Sequence, residues 1–167
     1  FACVWYLSRH IMSLSVARAK AVFIGYAVLS GLTLSVIFFA FETSSIISIF
    51  IGTAVMFAVL AIFGARTKRD LSSIGQVAYF ALIGLVIASL VNLFLRNSML
   101  DMILAWVGVA VFTVLITRDT QKIKEFAREI HTDEDVSRVG ILGALTLYLD
   151  FINLFLSLLR IFGGRRK

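Results

Sequence analysis

Three long stretches of this chain contain no Asp, Glu, Lys or Arg: Ala21–Phe41, Thr43–Ala65 and Leu71–Leu95. Each reaches the roughly 20 residues that a helix rising about 1.5 Å per residue needs to cross about 30 Å of hydrocarbon. Met102–Thr117 is a shorter apolar run that extends to Arg118, and Val139–Leu159 is interrupted only by Asp150. The chain is 60% hydrophobic and 16% charged, against about 45–50% and about 25% in soluble domains. So large an apolar excess does not fit one water-soluble core. The expected fold is all-α: a polytopic helical membrane bundle, one transmembrane domain over residues 1–167. Complete spans are expected near 21–41, 44–65, 72–95, 100–119 and 139–162. The opening "FACVWYLS" has no initiator Met and no basic signal-peptide start. It reads as a partial span over 1–14 whose beginning lies upstream.

The net charge of +6 could suggest nucleic acid, but the basic residues sit in short loops between spans. Arg9, Arg18 and Lys20 form one group, and Arg66, Lys68 and Arg69 another. Arg118, Lys122, Lys124, Arg128 and Arg138 form a third. The intervening loops hold Glu42, and Arg96 with Asp101. This alternation places the loops around 8–20, 66–70 and 118–138 in the cytoplasm and leaves no surface for a duplex. The bilayer is the expected partner. The closing "GGRRK" breaks the pattern if the last helix crosses fully, and full crossing is the expectation because late charges need not set orientation.

Cys3, His10 and His131 stand alone, outside any metal-ligand spacing. No nucleophile–base pair accompanies them, so neither an enzyme nor a tightly held metal or cofactor is expected. Ala27, Gly31 and Ser35 recur every four residues, as do Gly84, Ala88 and Asn92. Such faces are expected to let helices pack closely. Residues 120–137 read as a helical extension followed by an acidic loop, "HTDED".

The last span carries a polar stripe. Gly143, Thr146, Asp150, Asn153, Ser157, Arg160 and Gly164 alternate gaps of three and four, which puts them on one helix face. The other faces are Leu, Ile and Phe. A central Asp against lipid costs about 2.5–3.5 kcal/mol even on insertion scales, so this face must turn into the bundle. Thr146, Asn153 and Ser157 are expected to hydrogen-bond neighbouring helices. Asp150 is the functional candidate, because intramembrane carboxylates mark ion and proton pathways. Asp119, among Arg118, Lys122 and Lys124, has the bland reading of an interfacial ion-pair partner. Asp150 falls about 16 Å along a straight helix from Val139, whereas Asp119 lies near the membrane edge. The two meet only if the last helix begins deeper inside the protein or a cytoplasmic vestibule reaches inward.

At these segments the chain resembles the Bax inhibitor family of transmembrane proteins, in a bacterial version. The resemblance rests on "ALTLYLDFINLFLSLLRIFG", "DTQKIK", "GLTLSVIF" and "GARTKRDLS", in the family's order. It implies seven helices, the first and part of the second lying outside this sequence, with a central last helix wrapped by the others. It also implies a bacterial cytoplasmic (inner) membrane and a pH-sensitive calcium leak. In that leak two aspartates, matching Asp119 and Asp150, share a proton, and a basic residue falls at Arg9. Calcium would be cargo, held weakly at Asp119 and Asp150 by carboxylates, carbonyls and water. Two nearby carboxylates titrate as a unit, which suits a sensor. Asn153, and Glu42 approaching Arg160 at the outer side, are expected in supporting or gating roles. The alternative function is a scaffold that binds other membrane proteins, such as a membrane protease, without conducting ions.

Overall fold

The computed structural model describes residues 15–129 and 132–166. The Ser15 hydroxyl accepts the Arg18 amide at 3.4 Å and opens α1, Val16–Leu34. A turn follows, in which the Ser35 hydroxyl donates to the Leu32 carbonyl at 2.6 Å. The short α2, Ile37–Ala40, then completes one membrane crossing with α1. Three further crossings are α3, Thr43–Arg66, α4, Ser72–Leu95, and α5, Ser98–Glu129. Asn97 starts α5 by accepting the Met99 and Leu100 amides at 2.9 and 3.1 Å, which satisfies donors the helix itself leaves free. The last helix, α6, spans Asp133–Phe162. The expected partial span over 1–14, with Cys3, Arg9 and His10, lies outside the described residues, as does His131.

Within the acidic "HTDED" segment, residues 132–135 open a helix and do not form a loop. Thr132 is the N-cap of α6, and Asp133, Glu134 and Asp135 fill its first turn. The acids face the positive end of the helix dipole there, which polarity alone, read as a loop signal, concealed. α6 therefore begins well before Val139.

Two helices form the interior. Buried residues make up 39% of the apolar window of α5 and 33% of that of α6, against 0%, 11% and 6% for the α1–α2, α3 and α4 crossings. α5 and α6 share the largest interface, α3 packs on both, α4 flanks α5 and α1 flanks α6. The bundle is all-α, and α5, not the last helix alone, has the most extensive contacts, so the two share its centre. Val111, Phe112, Leu115 and Ile116 of α5 meet Leu154 of α6 and Ala78 of α4. Nearer the far end, Phe155 and Leu159 pack on Ile46. Lipid solvates the exposed Val28, Val59 and Phe80 as well as a core would, so association rests on dispersion and close fit.

Among the described residues that fit does not run through Gly31 or Gly84, although Asn92 of the same expected faces is buried. A methyl group placed on Gly31 or Gly84 would have nothing within 4 Å among the described residues. Four-residue spacing marks a smooth stripe but not what covers it. The close approaches are elsewhere. A side chain on Gly64 would strike the Thr117 backbone carbonyl. One on Gly108 would meet the Ser157 hydroxyl at 2.6 Å, and one on Gly143 would meet Ile123 at 3.0 Å. The last two contacts set the register of α5 against α6.

After α6 the chain turns back along the α2–α3 connection. The Glu42 amide donates to Gly164 O at 2.9 Å and the Arg166 amide to Ala40 O at 3.0 Å. The Gly164 amide donates to Ser45 Oγ at 3.1 Å, and Phe41 and Arg165 form an isolated antiparallel bridge. The tail thus lies on the side of the Glu42 loop, opposite the basic loops. Pairing with Phe41 and Ala40 holds the two described terminal arginines, Arg165 and Arg166, against that connection.

Candidate functional site

The polar stripe faces the α5–α6 interface. Asp150 is 6% exposed, and its Oδ2 is buried without a hydrogen-bond partner among the described residues. Buried polar atoms are nearly always paired, so an orphaned carboxylate oxygen marks either a proton or a ligand as its missing partner. The Gly108–Ser157 and Gly143–Ile123 contacts set Asp119 roughly opposite Thr146, one turn from Asp150, or about 5.4 Å along the axis. The charges of Asp119 and Arg118 both act on Asp150. No hydrogen bond joins the two acids among the described residues. They are electrostatic neighbours.

A cavity of about 150 Å³ opens between the cytoplasmic halves of α5 and α6, lined by Arg118, Asp119, Lys122, Gly143 and Thr146 among others. Asp150 is not among the residues that line it. Asp119 stands in its wall, and Asp150 lies one turn below Thr146.

Arg118 also lines this cavity. Its Nη1 donates to Asp119 Oδ1 at 2.6 Å, and its aliphatic stem lies over Gly75 of α4, where a methyl group would come within 2.6 Å of Cγ. The bland reading of Asp119 as an ion-pair partner is met by Arg118. Sequence reasoning also passed over Gln121, which is 9% exposed. Its amide nitrogen donates to Arg69 O at 2.9 Å, and its oxygen accepts the Leu71 amide at 3.3 Å. Lys124 Nζ donates to the Ala65 carbonyl, at the negative end of α3. Together they bolt the α3–α4 loop to the helix that carries Asp119. In that loop, hydrogen bonds from the Ser72 hydroxyl and amide hold the Asp70 carboxyl below the usual carboxylate range.

The remaining stripe residues do not reach neighbouring helices as expected. The Thr146 hydroxyl donates to Leu142 O at 3.0 Å, Asn153 Nδ2 to Leu149 O at 2.8 Å and the Ser157 hydroxyl to Asn153 O at 2.8 Å. The carbonyl four residues back is the nearest acceptor for a short polar side chain on a helix. The donors are thereby used within α6. At the interface itself, the Ser157 hydroxyl sits against Gly108 and the Asp150 carboxylate is buried.

Arg160 is paired, but not with Glu42. Its Nη1 lies 3.7 Å from Asp101 Oδ1 at the start of α5. Glu42 caps the tail instead, its carboxylate 3.2 Å from where a methyl group on Gly164 would sit. Both residues are at the outer end, yet the tail's return places Glu42 beside Gly164, and α5 brings Asp101 to Arg160. Arg9 lies outside the described residues. No cluster of three or more His, Cys, Asp or Glu forms among the described residues, so a cation here would need carbonyls and water to complete its shell.

Comparison with known proteins agrees with this architecture. Residues 1–167 match the family model described as "Inhibitor of apoptosis-promoting Bax1". The chain is 48% identical over 167 residues to the inner membrane protein YbhL of Escherichia coli K12, covering 99% of this chain and 71% of that protein. It is 43% identical over 164 residues to a protein of Deinococcus radiodurans, with 98% and 71% covered. A Rickettsia prowazekii protein is 42% identical over 153 residues, with 92% and 65% covered.

Proposed function

The chain belongs to the Bax1-inhibitor family as an integral inner-membrane protein, and we propose that it is a calcium leak pathway governed by protonation of the Asp119–Asp150 pair. The observation that carries this reading is the orphaned Asp150 oxygen buried just beyond a cavity that Asp119 lines.

Calcium entering the cavity meets Asp119, once Arg118 has yielded the carboxylate. Asp150 is the next anionic oxygen inward. Beyond it the Asn153 and Ser157 oxygens continue along the same face, their donors already directed to backbone carbonyls. Calcium is bound by six to eight oxygens. Two carboxylates with carbonyls and water hold it weakly enough for release, as conduction demands. A proton on the pair removes the charge that attracts the cation. Towards the outer side, Ser157 is wedged against Gly108, so this conformation is closed and α5 must part from α6 for passage.

The test is calcium flux into liposomes holding the purified protein and an enclosed indicator, followed across pH. The wild type is expected to leak with a pH dependence that Asp150→Asn removes. Unaltered pH dependence in that variant rejects the sensor. Absence of any flux from the purified protein rejects the leak and favours a scaffold that binds other membrane proteins.

A further inference from the structure

A second cavity lies far from the acid pair, at the ends of α4, α5 and α6 near Arg96, Asp101 and Arg160. Its volume is about 520 Å³, and its walls include Asn92, Phe94, Arg96, Asp101 and Arg160. That size is within the usual range of small-molecule pockets, about 300–1,000 Å³. We propose that this cavity binds the phosphate of an anionic membrane lipid, seating its headgroup between Arg96 and Arg160.

Charge is the first reason. Two guanidiniums and one carboxylate leave the cavity one positive charge in excess, and a phosphodiester carries one negative charge. Arg160 is only loosely engaged: its 3.7 Å approach to Asp101 is beyond hydrogen-bonding distance. Its planar donors therefore remain available for a phosphate oxygen.

Backbone conformation is the second. Arg96 closes α4 with φ 51° and ψ 35°, the left-handed region, and is the only non-glycine residue with positive φ among those described. Its amide donates to Asn92 O at 2.7 Å, while the Asn92 side chain accepts the Asn97 amide at 3.1 Å. Glycine or asparagine takes this helix-ending position at less cost. The arginine instead brings a guanidinium to the cavity, and Asn92 holds the turn that presents it. A strained position retained in this way points to a ligand.

Surroundings are the third. Leu93 and Phe94 line the same cavity and are 68% and 85% exposed among the described residues, near the end of an apolar crossing. A polar, cationic recess bordered by bare apolar side chains fits a headgroup with its acyl chains better than a free anion.

The experiment uses the chain in phosphatidylcholine nanodiscs containing a minor fraction of phosphatidylglycerol, in calcium-free buffer, with retained lipid counted by native mass spectrometry. Phosphatidylglycerol should be retained in preference, and Arg96→Ala or Arg160→Ala should each lower its retention roughly tenfold, as expected for one lost charge-assisted contact. Asp101→Asn should raise retention, by up to about fivefold, a gain that general destabilisation does not produce. Equal retention of the two lipids, or loss in Asp101→Asn, overturns the proposal. Displacement of the lipid by excess inorganic phosphate overturns the lipid assignment in favour of a free anion.

Discussion

Arg118 and Asp119 grip one another through a 2.6 Å ion pair at the wall of the cavity between α5 and α6. The pair is partly buried, with side chains 27% and 14% exposed, and Gly75 gives the arginine room to lie flat. A cation bound to the chain itself thus occupies the carboxylate that an incoming cation would use.

Removing that tethered charge should ease the way in for calcium. In Arg118→Gln, liposomal calcium flux at neutral pH should rise about fivefold, the equivalent of losing roughly 1 kcal/mol of competing ion pairing. A flux equal to or below that of the wild type would show that Arg118 does not compete at Asp119.

Asp150 should weaken the bundle that contains it. An orphaned buried oxygen costs about 1–3 kcal/mol, and an apolar residue of similar shape removes the cost. Asp150→Leu should therefore raise the thermal unfolding temperature in detergent while abolishing flux. A lower melting temperature would mean that the carboxylate holds the helices together.

Gly64 leaves no space for a methyl group. Gly64→Ala would push α3 from the Thr117 carbonyl of α5 and should destabilise the protein by about 1–3 kcal/mol, the range for overpacking. Gly31→Ala and Gly84→Ala, at open positions, serve as controls and should not lower the melting temperature in detergent.

Gln121 should be felt in the loop it holds. With Gln121→Ala, the Arg69 carbonyl and Leu71 amide lose their partners. Trypsin should then cleave after Lys68 or Arg69 several times faster, as local opening becomes cheaper, and electrophoresis of the digested protein measures it. Unchanged cleavage would place the hold on the loop elsewhere.

Asp70 supplies a pH signature outside the membrane. Its carboxyl is held below its ordinary value by Ser72, so its contribution to stability is present above the unfolded pKa of about 3.9 and fades as pH falls through the lower folded value. Asp70→Ala should lower the melting temperature by the same amount throughout about pH 6–8, with the difference shrinking below about pH 4. A difference that grows in acid contradicts the assignment.

The crossings were legible because the chain separates charge from apolar residues so sharply. Ala21–Phe41, Thr43–Ala65 and Leu71–Leu95 are charge-free, and helices occupy each of them. The stripe through Asp150 was legible too, since its period is that of a helix. What periodicity does not carry is depth and partnership. The Asp119–Asp150 offset depends on the register between α5 and α6, set by Ile123 on Gly143 and Ser157 on Gly108, contacts that leave no pattern in one strand of sequence. Arg160 and Glu42 were joined by sharing a side of the membrane, but which acid is nearest depends on how the tail turns. Gln121 was hidden because a glutamine in a basic stretch gives no sign of a loop packed beneath it.

The C-terminal tail constrains motion at a distance from the acids. Hydrogen bonds from Glu42, Gly164 and Arg166 stitch the end of α6 to the connection between α2 and α3, so the helix cannot slide lengthwise as a piston. Its freedom is to tilt or twist about that fastened end. Small rotations there become the widest displacements at the opposite extremity, beside the cavity between α5 and α6.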